Sequence, residues 1–272
     1  MKSQGRMLSL LDLFTAERPI WTADSMGAEL DVSRATVYRY VKELTGAGFL
    51  APAAGDAYIL GPRLIELDRQ IRLCDPLLRS AEPLMKAHIN AVHGALLLCS
   101  FYGDKVLCIH QEQSGRRQIH SSFERGRPMP LFRGATSKII LAYLPTYQLR
   151  NLMLHRGPEI RAAGLGDDWP SFRNTLQKLR RDGVCVAHEE VDAGLVGVSA
   201  AVFRPGNAVV GSLCAVVPAD TFTPARAKQL AKIVTAACRG ISERLGAIET
   251  GNGQEPASLY PSARSLAVSR SG

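Results

Sequence analysis

Residues 33–60 constrain this chain more than any other stretch. Ser33 is placed as a helix N-cap, its hydroxyl able to accept from the unpaired N–H groups of the first turn. Val37, Tyr40, Val41 and Leu44 then recur at helical spacing and make one apolar face. The opposite face carries Arg34, Thr36, Tyr38, Arg39 and Lys42, all able to donate to phosphates or base edges. Gly46 and Gly48 stop the helix. Phe49-Leu50 and Tyr58-Ile59-Leu60 read as two short strands around an Ala53-Ala54-Gly55-Asp56 turn. Upstream, Met7 to Phe14 predicts a short helix with Leu8, Leu11 and Phe14 on one face. Thr22 predicts the cap of a second helix through Leu30, and Asp31-Val32 the tight turn into Ser33. Helix, helix, turn, helix and hairpin in this order is the winged helix-turn-helix pattern, and its third helix suits a major groove.

Charge supports a polyanionic partner only locally. The chain is +8 overall with a pI near 9.4. Residues 1–75, however, hold 9 Lys/Arg against 10 Asp/Glu, a net of −1, while 76–249 hold 22 against 14, a net of +8. DNA affinity would therefore rest on a few aimed cations and on dimerisation rather than on a broad basic field. No apolar run reaches the ~18 residues of a membrane span, and the N-terminus shows no signal-peptide core. The expected compartment is the cytoplasm, with no membrane partner. The cysteines Cys74, Cys99, Cys108, Cys185, Cys214 and Cys238 lack CxxC spacing, and with the histidines they form no zinc signature. They read as reduced core residues, and no metal or cofactor is expected. No G-x-S-x-G elbow, P-loop or HExxH occurs, which argues against an enzyme.

Past Gly61-Pro62, the residues Leu64, Ile65, Leu67, Ile71 and Leu73 predict a linker helix. It carries more apolar positions than a solvated tether needs, so a partner chain is expected against it. A helix from Pro76 to about Val92 leads into a hairpin, Ala95–Tyr102 and Lys105–Gln111, and Arg117–Phe123 reads as a third strand. Helices are predicted at Ala135–Tyr143, Thr146–His155 and Ser171–Arg181. Strands follow at Val184–His188, Val196–Phe203 and Ala208–Val216, and Thr223 caps a closing helix to about Ile248. The fold class is α+β: a winged helix-turn-helix at 5–62, a linker helix at 63–75, an antiparallel-sheet domain at 76–249 and a disordered tail at 250–272.

Gly134-Ala135-Thr136 opens a helix, where free N–H groups and the positive dipole end favour an anion. Arg116, Arg117, Arg125, Arg127 and Arg133 precede it, and Arg133 is the best placed to guide a carboxylate. His188-Glu189-Glu190 falls at a strand end, where alternate side chains diverge, so it reads as surface charge rather than as one cluster.

With both halves in view, the chain resembles the IclR family of bacterial transcriptional regulators. The residues that carry this are Val32–Leu44 with Gly48 and the Tyr58-Ile-Leu-Gly-Pro62 exit. In the second half they are Gly126, Pro130-Leu131, Gly134-Ala135, Lys138, Glu189-Glu190, Gly194-Leu195, Val198–Phe203 and Gly211–Val217. The resemblance implies a GAF-like effector domain and a dimer or dimer of dimers on a palindromic double-stranded DNA operator. It also implies a small-metabolite effector, often a carboxylate or aromatic acid. By analogy, Ser33 and Thr36 would mainly contact phosphates and Arg34, Tyr38 and Arg39 would probe bases, Tyr58 and the Gly55-Asp56 tip would sit at the wing, and Thr22 and Lys42 are also expected to bind DNA. The implied pocket takes Leu131, Gly134, Ala135 and the strands Gly197–Ala201 and Cys214–Val216, with Thr136, Ser199 and His188 as donors. Some members have a cysteine at the position of Gly197, and others small hydroxyl residues at Cys214 and Val216 and an acid near Ala187. The departure predicts a less polar pocket and an apolar or aromatic ligand. Repressor is preferred to activator. The alternatives are a ligand-sensing scaffold with vestigial DNA binding and an enzyme with an appended helix-turn-helix.

Overall fold

The computed structural model describes residues 3–115, 119 and 122–251, which form two compact units divided between Cys74 and Asp75. In the first unit α1 (Ser3–Leu8) is followed by a 3-10 turn, Leu11–Leu13. The predicted single helix from Met7 to Phe14 is therefore broken. The register resets at the break, so Leu10, and not Leu8, becomes the fully buried residue; Leu8 is 55% exposed.

β1 (Trp21–Thr22) runs into α2 (Ala23–Leu30) through a reciprocal capping box between Thr22 and Ser25. Asp31 takes the left-handed conformation at the turn, φ 51°. α3 (Arg34–Gly46) starts at Ser33, whose side chain accepts from Thr36 N. It buries Val37, Tyr40, Val41 and Leu44 against Leu10, Trp21, Met26 and Leu50. The wing strands β2 (Leu50–Ala53) and β3 (Ala57–Leu60) are longer than predicted, and β1 joins them in the order β1-β3-β2. Pro52 is tolerated because β2 is an edge strand. α4 (Arg63–Cys74) buries none of its residues.

The second unit begins with α5 (Pro76–Val92), capped by the carboxylate of Asp75. Its sheet is fully antiparallel, ordered β6-β5-β4-β9-β8-β7. The strands are β4 (Ala95–Tyr102), β5 (Lys105–Gln113), β6 (Pro128–Met129), β7 (Cys185–His188), β8 (Leu195–Phe203) and β9 (Val209–Pro218). The sixth strand is thus Pro128–Met129, not the predicted Arg117–Phe123. Of that segment, residues 117, 118, 120 and 121 lie outside the described residues, and Ile119, Ser122 and Phe123 are not in a strand. Ile119 is instead held by both ends of the Gln113 side-chain amide.

Leu96, Leu98, Val196, Val198 and Leu213 face one layer, formed by α5 and α9 (Pro224–Gly251). Leu97, Cys99, Ala201 and Cys214 face the other, with α6 (Ala135–Tyr143), α7 (Thr146–Ala162) and α8 (Trp169–Asp182). Each fully buried leucine contributes roughly 1.5–3 kcal/mol on removal from water. α7 runs past its predicted end at His155, kinking at Arg156 (φ −129°) two residues before Pro158. α8 opens with a second capping box, Asp168 with Ser171. The predicted tail falls, from residue 252 on, outside the described residues.

Gly61 fixes the root of the wing. A Cβ there would lie 2.2 Å from Gly48 O and 2.9 Å from Leu50 C, both backbone atoms that cannot swing aside. Gly61→Ala is expected to cost about 1–3 kcal/mol, the usual penalty of overpacking, read as a lower denaturant midpoint.

Candidate functional site

α3 presents its polar face as a short network. Ser33 Oγ and Thr36 Oγ1 are 2.9 Å apart. Arg34 Nε pairs with Asp24 Oδ1 at 2.9 Å, and its Nη2 donates to Tyr38 OH at 3.3 Å. The hydrogen bond to Tyr38 and then the charge of Asp24 raise the pKa of Arg34 above its ordinary value. Arg39 lies over the Tyr40 ring, 5.4 Å from its centroid, and Lys42 is exposed further along the same helix. Thr22 is committed to the cap of α2, and Tyr58 is half-buried against the core opposite Trp21. Five of the eight predicted DNA-facing residues therefore lie on α3 and Ser33 caps it, while Thr22 caps α2 and Tyr58 lies in β3.

In the second unit, Gly134, Ala135, Thr136, Gly197, Cys214 and Val216 line one cavity of about 30 Å³. Phe123, Ala187, Glu190, Val191, Asp192 and Leu195 complete it. Leu131, Arg133, Ser199 and His188 are not among the lining residues. Leu131 is buried in the core and Arg133 is exposed. Ser199 Oγ donates to Leu213 O at 3.0 Å within the sheet. His188 pairs with Val196, one position from the Ala187–Gly197 pair, so its ring turns to the other face and meets Phe222 edge-on at 5.2 Å. Arg125 donates to Ile109 O, and Arg127 is exposed. Arg116 and Arg117 lie outside the described residues.

Glu190, read from sequence as surface charge, is the residue that was missed. Its Oε2 accepts from Gly134 N at 2.9 Å and its Oε1 accepts from Lys138 Nζ. Glu189 points elsewhere, accepting from Gly194 N, so the three residues do diverge, but only one of them serves α6. Asp192 accepts from Ser122 N at 3.0 Å and ties down the same loop. Ser212 Oγ donates to Thr136 O and fixes α6 to β9.

The chemistry of the cavity is mixed. Glu190 takes Gly134 N–H, while the N–H groups of Ala135 and Thr136, in the first turn, have no intrahelical acceptor. Thr136 Oγ1, 2% exposed, has no hydrogen-bond partner among the described residues. The floor is apolar: a Cβ on Gly197 would meet Cys214 Sγ at 3.2 Å and Ala135 Cβ at 3.4 Å. Burial raises the thiol pKa of Cys185 to about 11 and raises that of Cys214 as well. Such thiols stay protonated and act as small hydrophobes rather than nucleophiles. Among the described residues no cluster of three or more His, Cys, Asp or Glu is placed to hold a metal, and no helix is long and apolar enough to cross a membrane. A roomier cleft of about 500 Å³ opens between α9 and the β8–β9 turn, near Phe203, Asn207 and Arg239. Size favours that cleft. Convergent helix N–H groups and an orphaned buried hydroxyl favour the smaller one, and these features are the ones that select a ligand.

Residues 75–243 match the family described as "Bacterial transcriptional regulator IclR C-terminal", and residues 6–59 match an HTH domain. The chain belongs to the IclR family. It is 24% identical over 213 residues to the Pca regulon regulatory protein of Pseudomonas putida, covering 78% of this chain and 73% of that one. The IclR transcriptional regulator from Alicyclobacillus acidocaldarius has the same fold, with a TM-score of 0.73 at 20% identity over 90% of this chain and 99% of that one. An IclR homologue from Microbacterium hydrocarbonoxydans, solved with 4-hydroxybenzoate, has a TM-score of 0.64 at 21% identity, covering 90% and 99%. This IclR-family chain is accordingly a transcriptional regulator with a helix-turn-helix DNA-binding domain.

The Lys138–Glu190 pair is 13% and 30% exposed at its two side chains. Lys138→Met should strand the Glu190 carboxylate and cost about 1–3 kcal/mol. The double variant Lys138→Met/Glu190→Leu should recover part of that loss in thermal unfolding.

Proposed function

We propose that this IclR-family regulator is a cytoplasmic repressor that reads a palindromic operator through α3 and responds to a small aromatic or other apolar carboxylate. The observation that carries the effector half is the cavity at the start of α6. It joins first-turn N–H groups, an orphaned Thr136 hydroxyl and apolar walls from Phe123, Leu195, Cys214 and Val216. A carboxylate fits the N–H groups and a ring fits the walls. The related protein that binds 4-hydroxybenzoate supports this ligand class. A volume of about 30 Å³ holds no more than a water-sized group. An aromatic acid therefore needs the Glu189–Gly194 loop to shift and release the contacts of Glu190 and Asp192. Residues 5–62 are assigned to DNA reading, 63–75 to a linker and 76–249 to effector binding. Homodimerisation, or a dimer of dimers, is supported by α4, on which Ile65, Ile71 and Leu73 are 75%, 52% and 54% exposed.

The test is operator selection from a random duplex library at near-physiological salt. A palindromic site should be enriched by the full chain. Failure to enrich any site, with or without 4-hydroxybenzoate, would favour a ligand sensor with vestigial DNA binding. In that assay Arg39→Ala is expected to lose ~1–3 kcal/mol of specific binding and to relax preference at one base pair. Equal weakening on every sequence would make Arg39 a phosphate contact instead.

Thr136→Val separates ligand binding from folding, because it removes the hydroxyl at nearly constant volume. Relief of an unsatisfied buried group should raise the thermal midpoint of the unliganded protein. Loss of the same donor should weaken carboxylate binding by about 1 kcal/mol in calorimetry. A lower midpoint with unchanged affinity would remove Thr136 from the site.

A further inference from the structure

Asp24 stands in the first turn of α2, and Arg34 opens α3 across the tight turn. Their side chains are 64% and 68% exposed, so packing does not set the arginine rotamer. Two hydrogen bonds set it. Nε donates to Asp24 Oδ1 at 2.9 Å and Nη2 donates to Tyr38 OH at 3.3 Å. In a guanidinium, Nε–H and the adjacent Nη2–H form one edge, and here that edge is engaged. Nη1 has no partner among the described residues, and with Nη2 it presents a planar fork of the geometry that suits guanine O6 and N7. An untethered arginine of this exposure would lose several rotamers on meeting a base, whereas one held in advance loses fewer. Asp24 also sets a negative charge beside the recognition helix, which weakens attraction to phosphates on every sequence alike.

We infer that Asp24 is a positioning residue for sequence reading: it holds Arg34 as a guanine-reading fork and lowers indiscriminate DNA affinity, with Tyr38 as the second tether. This rests on the assignment of α3 to DNA reading. A different role is open to any acid in a first helical turn, where it complements the helix dipole. That role shows in stability and leaves base preference alone.

The experiment compares full-length wild type, Asp24→Asn, Asp24→Glu and Arg34→Ala. Each is measured on the selected operator, on its single-base-pair variants and on a scrambled duplex, alongside thermal unfolding. Asp24→Asn should lower the preference for one G·C pair per half-site about five- to tenfold, at the same pair that Arg34→Ala affects. Affinity for the scrambled duplex should rise and the thermal midpoint stay level. Asp24→Glu keeps the charge and should recover part of the preference. An unchanged base profile in Asp24→Asn, on an operator that wild type selects and Arg39→Ala loses, would overturn this inference and leave the DNA-reading assignment standing. So would a parallel fall on operator and scrambled duplex with a lowered midpoint. A wild type that selects no operator would overturn both.

Discussion

The close approach of α6 to the β8–β9 pair underlies the second unit. Strands covered on both faces must let a helix sit directly on them, and small side chains make that possible. Gly197 faces Ala135 where a Cβ would already be at van der Waals distance, and Ser212 bonds Thr136 O. Once α6 is pinned at that distance, its first turn opens into the cavity instead of into solvent. The Glu189–Gly194 loop then has a fixed target, and Glu190 reaches Gly134 N and Lys138. The cavity is thus a by-product of how tightly helix and sheet pack, made polar at one end by the helix terminus.

Local signals made much of this visible in the sequence. The cap at Ser33, the apolar spacing of α3 and the wing turn are all encoded within a few residues of where they act. The central strands β4, β8 and β9 show as nearly unbroken apolar runs because both of their faces are buried. Features set by distant partners were hidden. Glu190 meets a lysine 52 positions away, so its sequence neighbours, His188 and Glu189, suggested only surface charge. β6 has two residues and no periodicity to read. His188 is the instructive case. Strand alternation was applied to separate it from Glu189 and Glu190, and the same alternation also turns it away from a pocket that contains Gly197.

The near-neutral charge of the first unit gains a physical sense from the α2–α3 contact. A basic field would raise affinity for all DNA alike, and the balance of 9 Lys/Arg against 9 Asp/Glu over residues 1–74 avoids that. What remains is a small set of cations with fixed aim. Arg34 is held by two partners and Arg39 rests on an aromatic ring. On the reading proposed for α3, such an arrangement would give up encounter rate and non-specific hold in exchange for discrimination, and two linked half-sites would restore affinity.

The two candidate sites share one device. In each, an acid from a neighbouring element occupies part of a donor set: Asp24 the Nε–H of Arg34, Glu190 the N–H of Gly134 and the ammonium of Lys138. The acid satisfies some of the donors and orients the group that carries them. The donors left over face outward at α3 and inward to the cavity at α6. These remaining donors are too few to bind a bare anion tightly in competition with water. They favour instead a ligand that adds shape to charge: a base pair presenting two acceptors in one plane, or a carboxylate attached to an apolar body that fills the space beside Cys214 and Val216. Selectivity at each site would then come from donors that the fold limits in number and direction.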